Sequence, residues 1–444
     1  MPPTEQQYLT KTKLERIAWL SGRDSVKKFD CLMHLFNTES LTACFHELDG
    51  RKAVGSDRVS KEDYGQALSK NVEELVTRMK EMAYRPGPVR EVLIPKEGKP
   101  GSYRPLGIAN FEDKMVQKMT AKILESIYEP TFMDCSYGFR PARGCHDAIR
   151  GLHHHLYHHR VETVIDVDLA NFFGTIRPAV VDEILRKRIG DDRFLRYIQR
   201  LFKAGVMQDG ELTMSDEGVP QGSPASPVIA NIVAHEVIDT WFENIVKTHA
   251  RGQVTMHRYC DDLVICCQYE TDAVRVHKAL GLRLNKYGLK LNEEKTRLVR
   301  FSKKRMEEGE KQESFDFLGL TFYLGKSRKG FIIPKLRTNR KRFKSKLKRV
   351  KEWVRGHRSK MRLPELWAIF CSKLRGHVAY YGISFNQASV GNFIKESIHI
   401  VFKWLNRRGG KREITWEKFQ LFLKRNPPPA NIVHHQLFTL QPSK

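Results

Sequence analysis

Apolar and polar positions along the chain follow two repeats, one typical of strands and one typical of helices. Short apolar runs with strand-like character occupy 90–95 (REVLIP), 161–169 (VETVIDVDL) and 261–267 (DDLVICC). Between the first two runs, KMVQKMTAKILESIY at 114–128 repeats its apolar residues at helical spacing. This mixture over about 46–325 predicts an α+β region, and the helical patterns of residues 1–45 predict an N-terminal helical extension.

The pattern changes sharply at residues 335–360. This segment holds thirteen Lys and Arg residues and a single acid, Glu352. Its apolar residues recur at helical spacing, which predicts one packed helix face with cationic side chains around the rest: Phe343, Leu347, Val350 and Val354. Further helical patterns at 363–383, 388–407 and 415–425, the last stopped by NPPP, predict a basic helical region over 326–444.

The chain carries a strong excess of positive charge. Its 444 residues include 77 Lys and Arg against 51 Asp and Glu, for a formal net charge of +26 and a pI near 9.7. A chain of this length predicts two or three packed units. The excess favours a polyanionic partner, most often nucleic acid. A ribosome-like or merely soluble basic protein is the alternative, against which the size and mixed order of the chain argue.

Other composition features exclude several classes of protein. The N-terminus is polar and lacks the apolar core of a signal peptide, and no apolar run is long enough to span a bilayer. No membrane partner is therefore expected. Eight cysteines without a CxxC pair argue against a zinc ribbon and a disulfide framework, and favour a reducing, intracellular compartment.

Candidate chemistry lies at the ends of two predicted strands. The stretch RYCDD at 258–262 falls between strand-like runs, which places Asp261 and Asp262 at or near a hairpin tip. Asp166 and Asp168 share one face of the 161–169 strand. If the strands are neighbours, three carboxylates converge, and such oxygen ligands suit Mg²⁺. The alternatives are a solvated turn and a nucleophilic Cys260, although the adjacent carboxylate opposes thiolate formation.

The histidine-rich stretch HHHLYHH at 153–159 resembles a metal-binding tract. It lacks a carboxylate or cysteine partner at ligand spacing. The sequence therefore predicts a solvated helix face rather than a metal site.

Several blocks of sequence occur together in one order. They are RKAVGSDRVS (51–60), YRPGPVREVLIPK (84–96), YRPLGIANFEDKMVQ (103–117), SYGFRPARGCHDAI (136–149), DVDLANFF (166–173), VPQGSPASPVIANI (219–232), RYCDD (258–262), GLKLNEEKT (288–296), FDFLGLTF (315–322), KLRGHVAYYGI (373–383) and WLNRRGGKREITWEKFQLFL (404–423). In this order they resemble the reverse transcriptases encoded by bacterial group II introns, over roughly residues 45–435. One block alone would be weak evidence, and the ordered set is strong.

The resemblance implies three catalytic carboxylates that hold two Mg²⁺ ions, with Mn²⁺ as a substitute: Asp168, Asp261 and Asp262. It implies nucleotide-binding roles for six further residues: Lys96, Arg104, Phe173, Gln221, Gly222 and Lys295. Lys96 and Arg104 would face the triphosphate, and Phe173 would lie beneath the incoming sugar. Gln221 and Gly222 would allow close approach of the backbone, although Gly222 alone could mark a turn. Lys295 would lie near the primer or the phosphates, or be a solvated helix-end charge.

Nucleic-acid contacts are expected from two further regions. Arg140 in GFRP would pair with a template phosphate or else cap a loop. The basic segment 335–360 would contact backbone phosphates through Lys341, Lys344 and Lys348.

The resemblance also implies the architecture and the partners. It implies a right-hand polymerase, with fingers and palm over 46–325 and a helical thumb and maturase region over 326–444. The expected partners are an RNA template, a DNA or RNA primer, deoxynucleoside triphosphates and intron RNA, for a monomer or homodimer in the bacterial cytoplasm. No Cys/His-rich endonuclease module follows residue 435, so existing ends or gaps are the expected primers.

The chain departs from the pattern of this family at several positions. Cys260 stands where alanine is usual and is interpreted as a space-filling variant. Gly174 stands where Asp is frequent, His377 where Trp is common, and Ala225 where a bulkier apolar residue is found. Two other functions stay open: a maturase that binds intron RNA without polymerising, and a host-serving polymerase in DNA repair or phage defence.

Overall fold

The computed structural model describes residues 5–95, 101, 103–208, 211–213, 222–407 and 414–438. Its contacts divide the chain into two compact units. The first comprises the described parts of 1–95, 101–148 and 167–297, and the second comprises 149–166 and the described parts of 298–444. This division differs from the predicted boundaries, because residues 1–45 belong to the first unit and 298–325 to the second.

Helices and strands alternate up to the middle of the chain, as the mixed pattern predicts. In order they are α1 (Glu5–Arg23), α2 (Thr38–Glu47), α3 (Lys61–Gly65), α4 (Leu68–Lys80), β1 (Val89–Pro95), β2 (Tyr103–Ile108), α5 (Phe111–Tyr128), α6 (Cys145–His158), β3 (Thr163–Asp168), α7 (Phe172–Thr175), α8 (Pro178–Arg186), α9 (Asp192–Phe202), β4 (Val206–Gln208), β5 (Glu211–Thr213) and α10 (Ser226–Ala234). Two π-helical turns, His235–Asp239 and Phe242–Val246, continue from α10.

The remaining elements lead into a helical C-terminal part. They are α11 (Lys247–His249), β6 (Val254–Tyr259), β7 (Asp262–Cys267), α12 (Glu270–Lys286), β8 (Arg297–Arg300), α13 (Lys303–Glu307), β9 (Phe315–Phe317), β10 (Leu320–Lys326), β11 (Ile332–Thr338), α14 (Arg340–His357), α15 (Leu363–Tyr381), α16 (Gln387–Leu405) and α17 (Trp416–Arg425). None of the helices in the described ranges is long and apolar enough to cross a bilayer.

Two sheets shape the first unit. One has the strand order β2-β1-β4-β5, in which β1 and β2 form an antiparallel pair that brings Ile94 opposite Arg104. The other has the order β6-β7-β3-β8, and its β6, β7 and the carboxyl end of β3 belong to the first unit. Strand β7 is buried along most of its length, because its run of apolar residues faces protein on both sides.

The N-terminal helices pack onto the first unit through α5. Helices α1 and α2 both contact α5. The central helix α5 is buried on most of its surface, including Met115, Ile123 and Leu124. The apolar side chains of α5 recur at helical spacing and therefore line the sides of the helix that contact α1 and α2. Their burial stabilises this packing through the hydrophobic effect.

The second unit contains the basic helix. Asn339 caps α14, and Phe343 packs edge-on against Phe393 of α16 with ring centroids 5.7 Å apart. Val354 is fully buried, whereas Phe343, Leu347 and Val350 are half-buried, so the predicted packed face is confirmed in part. Residues 335–338 lie instead in β11, where buried Leu336 and Thr338 alternate with cationic side chains. This alternation has the period of a strand, which the high charge of the segment had masked.

The prediction of a solvated histidine face is wrong for two of its residues. His153 and His155 are buried, whereas His154 is exposed. The His153 ring lies 3.2 Å from the Pro334 carbonyl oxygen through Nε2 and contacts Phe438 edge-on. Burial lowers the pKa of His153 and His155 to about 4, which keeps both imidazoles neutral at physiological pH.

His377 is an unusual core residue of the second unit. Its ring stacks on Phe393 at 3.7 Å between centroids and also on Tyr381. Neither ring nitrogen has a hydrogen-bond partner within the described part of the chain. Burial, and then the nearby Lys346 ammonium, lower the pKa of His377 from 6.5 to about 3. The aromatic stack explains how a histidine fits where a tryptophan is common in the family it resembles.

We expect His377→Phe to stabilise the second unit by about 1 kcal/mol at pH 7.5, since two unpaired buried polar atoms are removed. The unfolded chain takes up a proton below pH 6.5 and folded His377 does so only near pH 3. The wild type therefore loses stability as the pH falls through 6.5, by about 1.4 kcal/mol at pH 5.5 from this residue. Urea unfolding at both pH values measures the effect. His249 is exposed, so His249→Phe should leave the free energy of unfolding unchanged at both pH values. Equal pH dependence of this free energy in the wild type and in His377→Phe would contradict the prediction.

Candidate active site

The RYCDD stretch forms a tight hairpin between β6 and β7. Tyr259 pairs with Asp262, so Cys260 and Asp261 are the two residues of the turn. Cys260 has φ 61° and Asp261 does not have a positive φ. A positive φ at the first central residue alone is the pattern of a type II′ hairpin turn, where glycine is usual. The predicted hairpin tip is confirmed.

Two of the three predicted carboxylates belong to adjacent parts of one sheet and lie within electrostatic range of each other. Asp168 ends β3, and β3 is the neighbour of β7 in the sheet. Asp261 is exposed at the turn, yet partial desolvation raises the pKa of its carboxyl. The Asp168 carboxylate raises this pKa further, against a backbone hydrogen bond and the opposing charges of Arg104 and Arg258. Asp262 is the first residue of β7 and is half-buried. Within the described ranges, no three His, Cys, Asp or Glu side chains are grouped closely enough to hold a metal ion.

A lysine lies on the exposed side of Asp168. Lys295 Nζ donates to both carboxylate oxygens of Asp168 at 3.0 Å. The loop that carries it is fixed by backbone contacts, since the Asn292 N–H donates to the Asp168 carbonyl at 2.8 Å. The Asp168 N–H in turn donates to Thr296 Oγ1 at 3.2 Å. An ammonium group is thereby held beside the carboxylate.

The other predicted nucleotide-binding residues fall into two groups. Arg104 is exposed on β2 and lies within electrostatic range of Asp261. Phe172 is 2% exposed and belongs to the core, whereas Phe173 is only half-buried. Lys96 and Gln221 lie outside the described residues.

Gly222 makes a close backbone contact that a side chain would prevent. Its φ is +111°, and a Cβ atom there would come within 2.5 Å of the Gly107 carbonyl oxygen on β2. Glycine is required here both by conformation and by space. At Gly174 the three atoms nearest to an added Cβ would all belong to the Asn171 side chain, with Nδ2 at 2.3 Å, and this side chain can move aside.

Arg140 has the loop-capping role and not the phosphate role. Its side chain is 4% exposed and forms an ion pair with Glu129 at 2.9 Å. It also donates to the carbonyl oxygens of Met133 and Ser136, both at 2.8 Å. Because the guanidinium is buried and its donors are used, the prediction that it pairs with template phosphate is corrected.

Cys260 is a poor candidate for a nucleophile. It is 3% exposed, and burial followed by the Asp261 charge raises its pKa to about 12. The thiol therefore stays protonated near neutral pH, and the thiolate is the nucleophilic form. The burial of its side chain fits the interpretation of Cys260 as a small residue that fills a crowded turn.

Sequence reasoning missed the residues behind the turn. Arg258 is fully buried and forms an ion pair with the equally buried Asp239, with Nε donating to Oδ1 at 2.7 Å. Gly138 contacts the turn directly, because a Cβ atom there would lie 2.6 Å from the Cys260 nitrogen. The available signal was a charged residue inside VTMHRY on the same strand face as the apolar residues Val254 and Met256.

Comparisons with known proteins agree with these features. The family model described as "Reverse transcriptase (RNA-dependent DNA polymerase)" matches residues 94–322. Protein YkfC of Escherichia coli (strain K12) is 30% identical over 312 residues, which cover 63% of this chain and 78% of YkfC.

Two intron proteins are also similar to the chain. Group II intron-encoded protein LtrA of Lactococcus lactis subsp. cremoris is 30% identical over 229 residues, which cover 51% of this chain and 38% of LtrA. The putative COX1/OXI3 intron 2 protein of Saccharomyces cerevisiae is 32% identical over 197 residues, or 44% of this chain and 22% of that protein. The predicted resemblance is confirmed: the chain belongs to the reverse transcriptase family and has relatives encoded by group II introns.

Proposed function

We propose that the chain is an RNA-directed DNA polymerase that extends a primer by a two-metal phosphoryl transfer. The observation that carries the proposal is the pair of carboxylates, Asp168 at the end of β3 and Asp261 in the β6–β7 turn. In a member of the reverse transcriptase family, such a pair marks the place where the primer end and the incoming nucleotide would meet.

The residues at this place fit Mg²⁺. Asp168 and Asp261 supply hard oxygen donors, and Mg²⁺ is usually held by one or two carboxylates together with waters and substrate phosphates. Asp262 is proposed as the third ligand. When bound, two such ions would stabilise the attacking and leaving oxygens of an in-line displacement. Mn²⁺ offers the same charge and is proposed as a substitute.

The surrounding side chains have proposed roles in nucleotide binding. Arg104 and Lys295 bring positive charge toward the carboxylates and would bind the triphosphate, with Lys96 as a further candidate. Half-buried Phe173 would contact the sugar of the incoming deoxynucleotide. Gly222, which has no side chain, is proposed to let the backbone approach the nucleotide, and Gln221 is proposed as a further nucleotide-binding residue.

Nucleic-acid affinity is proposed to come from the exposed face of α14. Lys341, Lys344 and Lys348 are exposed on this helix, while its opposite face packs on α16. Lys348 also forms an ion pair with Glu352 at 3.8 Å, which is exposed and therefore weak. The proposed partners are an RNA template with a DNA or RNA primer. The similarity to LtrA favours group II intron RNA as a further partner.

The test of the proposed function is primer extension by the purified protein. We expect a DNA primer annealed to an RNA template to be extended with deoxynucleoside triphosphates and Mg²⁺, and no extension in the presence of excess chelator. If the wild type extends no primer with Mg²⁺ or Mn²⁺ but binds structured RNA tightly, the polymerase proposal fails and RNA binding without polymerisation replaces it.

Salt should weaken binding to the template–primer in a regular way. The logarithm of affinity should fall linearly with the logarithm of salt concentration, by about 0.9 for each duplex-DNA phosphate that is neutralised. Replacing Lys341, Lys344 and Lys348 by alanine should flatten this slope and weaken binding to many sequences alike. A fluorescence-anisotropy titration at several salt concentrations measures it, and an unchanged slope would place the nucleic acid elsewhere.

Lys295 should compete with Mg²⁺ for Asp168. Because its ammonium contacts both carboxylate oxygens, Lys295→Gln should lower the Mg²⁺ concentration for half-maximal activity by about two- to fivefold, the range of a half-exposed ion pair. The maximal rate should fall as well, since a cation near the phosphates is lost. Exposed Lys290→Gln removes the same charge from the same loop and is the control. A higher Mg²⁺ requirement in Lys295→Gln alone would contradict the competition.

A further inference from the structure

The guanidinium of Arg258 connects three separate segments of the first unit. Its Nη2 donates to Ser136 Oγ at 2.8 Å, and its Nη1 donates to Asn231 Oδ1 at 3.1 Å. Nη1 also donates to the Cys260 carbonyl oxygen at 3.0 Å. The carboxylate of Asp239 neutralises the buried charge. One side chain thus joins the SYGF segment, helix α10 and the RYCDD turn.

The contact with Cys260 acts on the backbone of Asp261. The Cys260 carbonyl and the Asp261 nitrogen belong to one planar peptide group. A hydrogen bond to that oxygen therefore limits rotation of the peptide and fixes the direction in which Asp261 leaves the turn. The positive φ of Cys260 is a conformation that a non-glycine residue adopts only when its surroundings hold it there.

A second set of contacts holds the segment against which the turn packs. Asn231 Nδ2 donates to the Gly138 carbonyl oxygen. The Tyr137 N–H donates to the Arg258 carbonyl at 2.9 Å, and the Arg258 N–H donates to the Cys135 carbonyl at 2.8 Å. The chain before Gly138 therefore lies parallel to the end of β6. Asn231 bonds to both this segment and Arg258, so it sets their separation.

We propose that Arg258, held by Asp239 and Asn231, is a positioning residue that sets where the Asp261 carboxylate lies for catalysis. The inference rests on the proposed polymerase function. Arginine is required because its planar fork serves Asp239, Ser136, Asn231 and the Cys260 carbonyl at once, whereas the ammonium of lysine is a single point of charge. The network is neutral as a whole, so it holds the turn without competing for the metal.

The first test separates positioning from stability. Arg258→Lys should lower kcat for nucleotide addition on the order of tenfold or more, because small displacements of catalytic groups are costly. The KM for the nucleotide and the Kd for template–primer should stay within about twofold. Asn231→Ala keeps the buried ion pair and should give a smaller loss of the same kind.

Arg188→Lys is the matched control. Arg188 is 7% exposed, and it donates to Ser21 Oγ at 2.9 Å and to the Lys27 carbonyl at 3.0 Å, with no contact to the turn. The Arg188→Lys variant should lose thermal stability as Arg258→Lys does, but it should keep the kcat of the wild type. Equal kcat losses in Arg188→Lys and Arg258→Lys would overturn the proposal.

A second test does not depend on polymerase activity. Cys260 is 3% exposed and lies in the turn, and Cys266 is fully buried within β7. In Arg258→Lys and Asn231→Ala, maleimide should label Cys260 several times faster than in the wild type, while Cys266 labelling is unchanged. Peptide mass spectrometry distinguishes the two sites.

The labelling outcomes decide the inference separately from the function. Wild-type labelling rates at Cys260 in both variants would overturn it, and so would equal acceleration of Cys260 and Cys266, which indicates general loosening. Absence of primer extension by the wild type would contradict the proposed function instead, and the labelling test would still decide whether Arg258 positions the turn.

Discussion

Replacing Asp261 and Asp262 together by alanine should abolish Mg²⁺-dependent primer extension, with a loss on the order of a thousandfold or more. Asp261 lies within electrostatic range of Asp168, and its carboxylate is one of the oxygen donors proposed to hold the metal. Affinity for template–primer should be kept or rise slightly, because two negative charges near phosphate are removed. Extension and anisotropy titrations on one folded preparation measure both quantities.

Glu293→Ala/Glu294→Ala is the matched control for this variant. Both glutamates are exposed and adjacent in the chain, and they lie next to Lys295. Their removal makes the same change in net charge without touching the turn, so extension should continue. Normal extension by the Asp261→Ala/Asp262→Ala variant would show that the carboxylate site is wrongly assigned and that RYCDD is only a turn.

Gly138→Ala should reduce extension on the order of a hundredfold, the cost of moving catalytic groups by about 1 Å. The added Cβ atom would lie 2.6 Å from the Cys260 nitrogen and 3.0 Å from the Tyr259 carbonyl carbon. Both atoms belong to the backbone and cannot move aside as a flexible side chain can. The turn itself must therefore shift, and Asp261 shifts with it.

Gly144→Ala tests whether this effect is specific. Gly144 lies six residues further along the same segment, and its nearest contact would be Asp147 Oδ2 at 3.6 Å, an ordinary van der Waals distance. We expect Gly144→Ala to keep extension close to that of the wild type. Template–primer affinity should be unchanged in both variants, and full activity in Gly138→Ala would show that the turn tolerates the displacement.

Much of the secondary structure followed from local periodicity. The strands β1, β3 and β7 and the helices α5, α15, α16 and α17 lie where apolar spacing predicts them, because burial of one face sets the period of each element. The hairpin at Cys260 and Asp261 was predictable for the same reason. Strand β11 was missed because Lys335 and Arg337 were counted as part of a basic helix.

The contacts behind the turn could not be predicted from one sequence. Arg258 forms hydrogen bonds with Ser136, Asn231 and Asp239. No local sequence pattern relates residues so far apart in the chain. The buried positions of Arg140 and His153 were missed for a similar reason. Polar side chains are normally exposed, and only tertiary partners such as Glu129 and the Pro334 carbonyl make their burial favourable.

The hydrogen bonds that Arg258 and Asn231 make to the SYGF segment have a consequence for how the protein folds as it is synthesised. Ser136 and Arg258 are 122 residues apart, and Gly138 and Asn231 are 93 residues apart. At ordinary rates of translation, the SYGF segment leaves the ribosome on the order of ten seconds before its partner strand exists. Contacts of such long sequence range also form slowly during refolding. The turn that carries Asp261 is therefore completed late, and recovery of activity after dilution from denaturant should lag behind the burial of the surrounding helices.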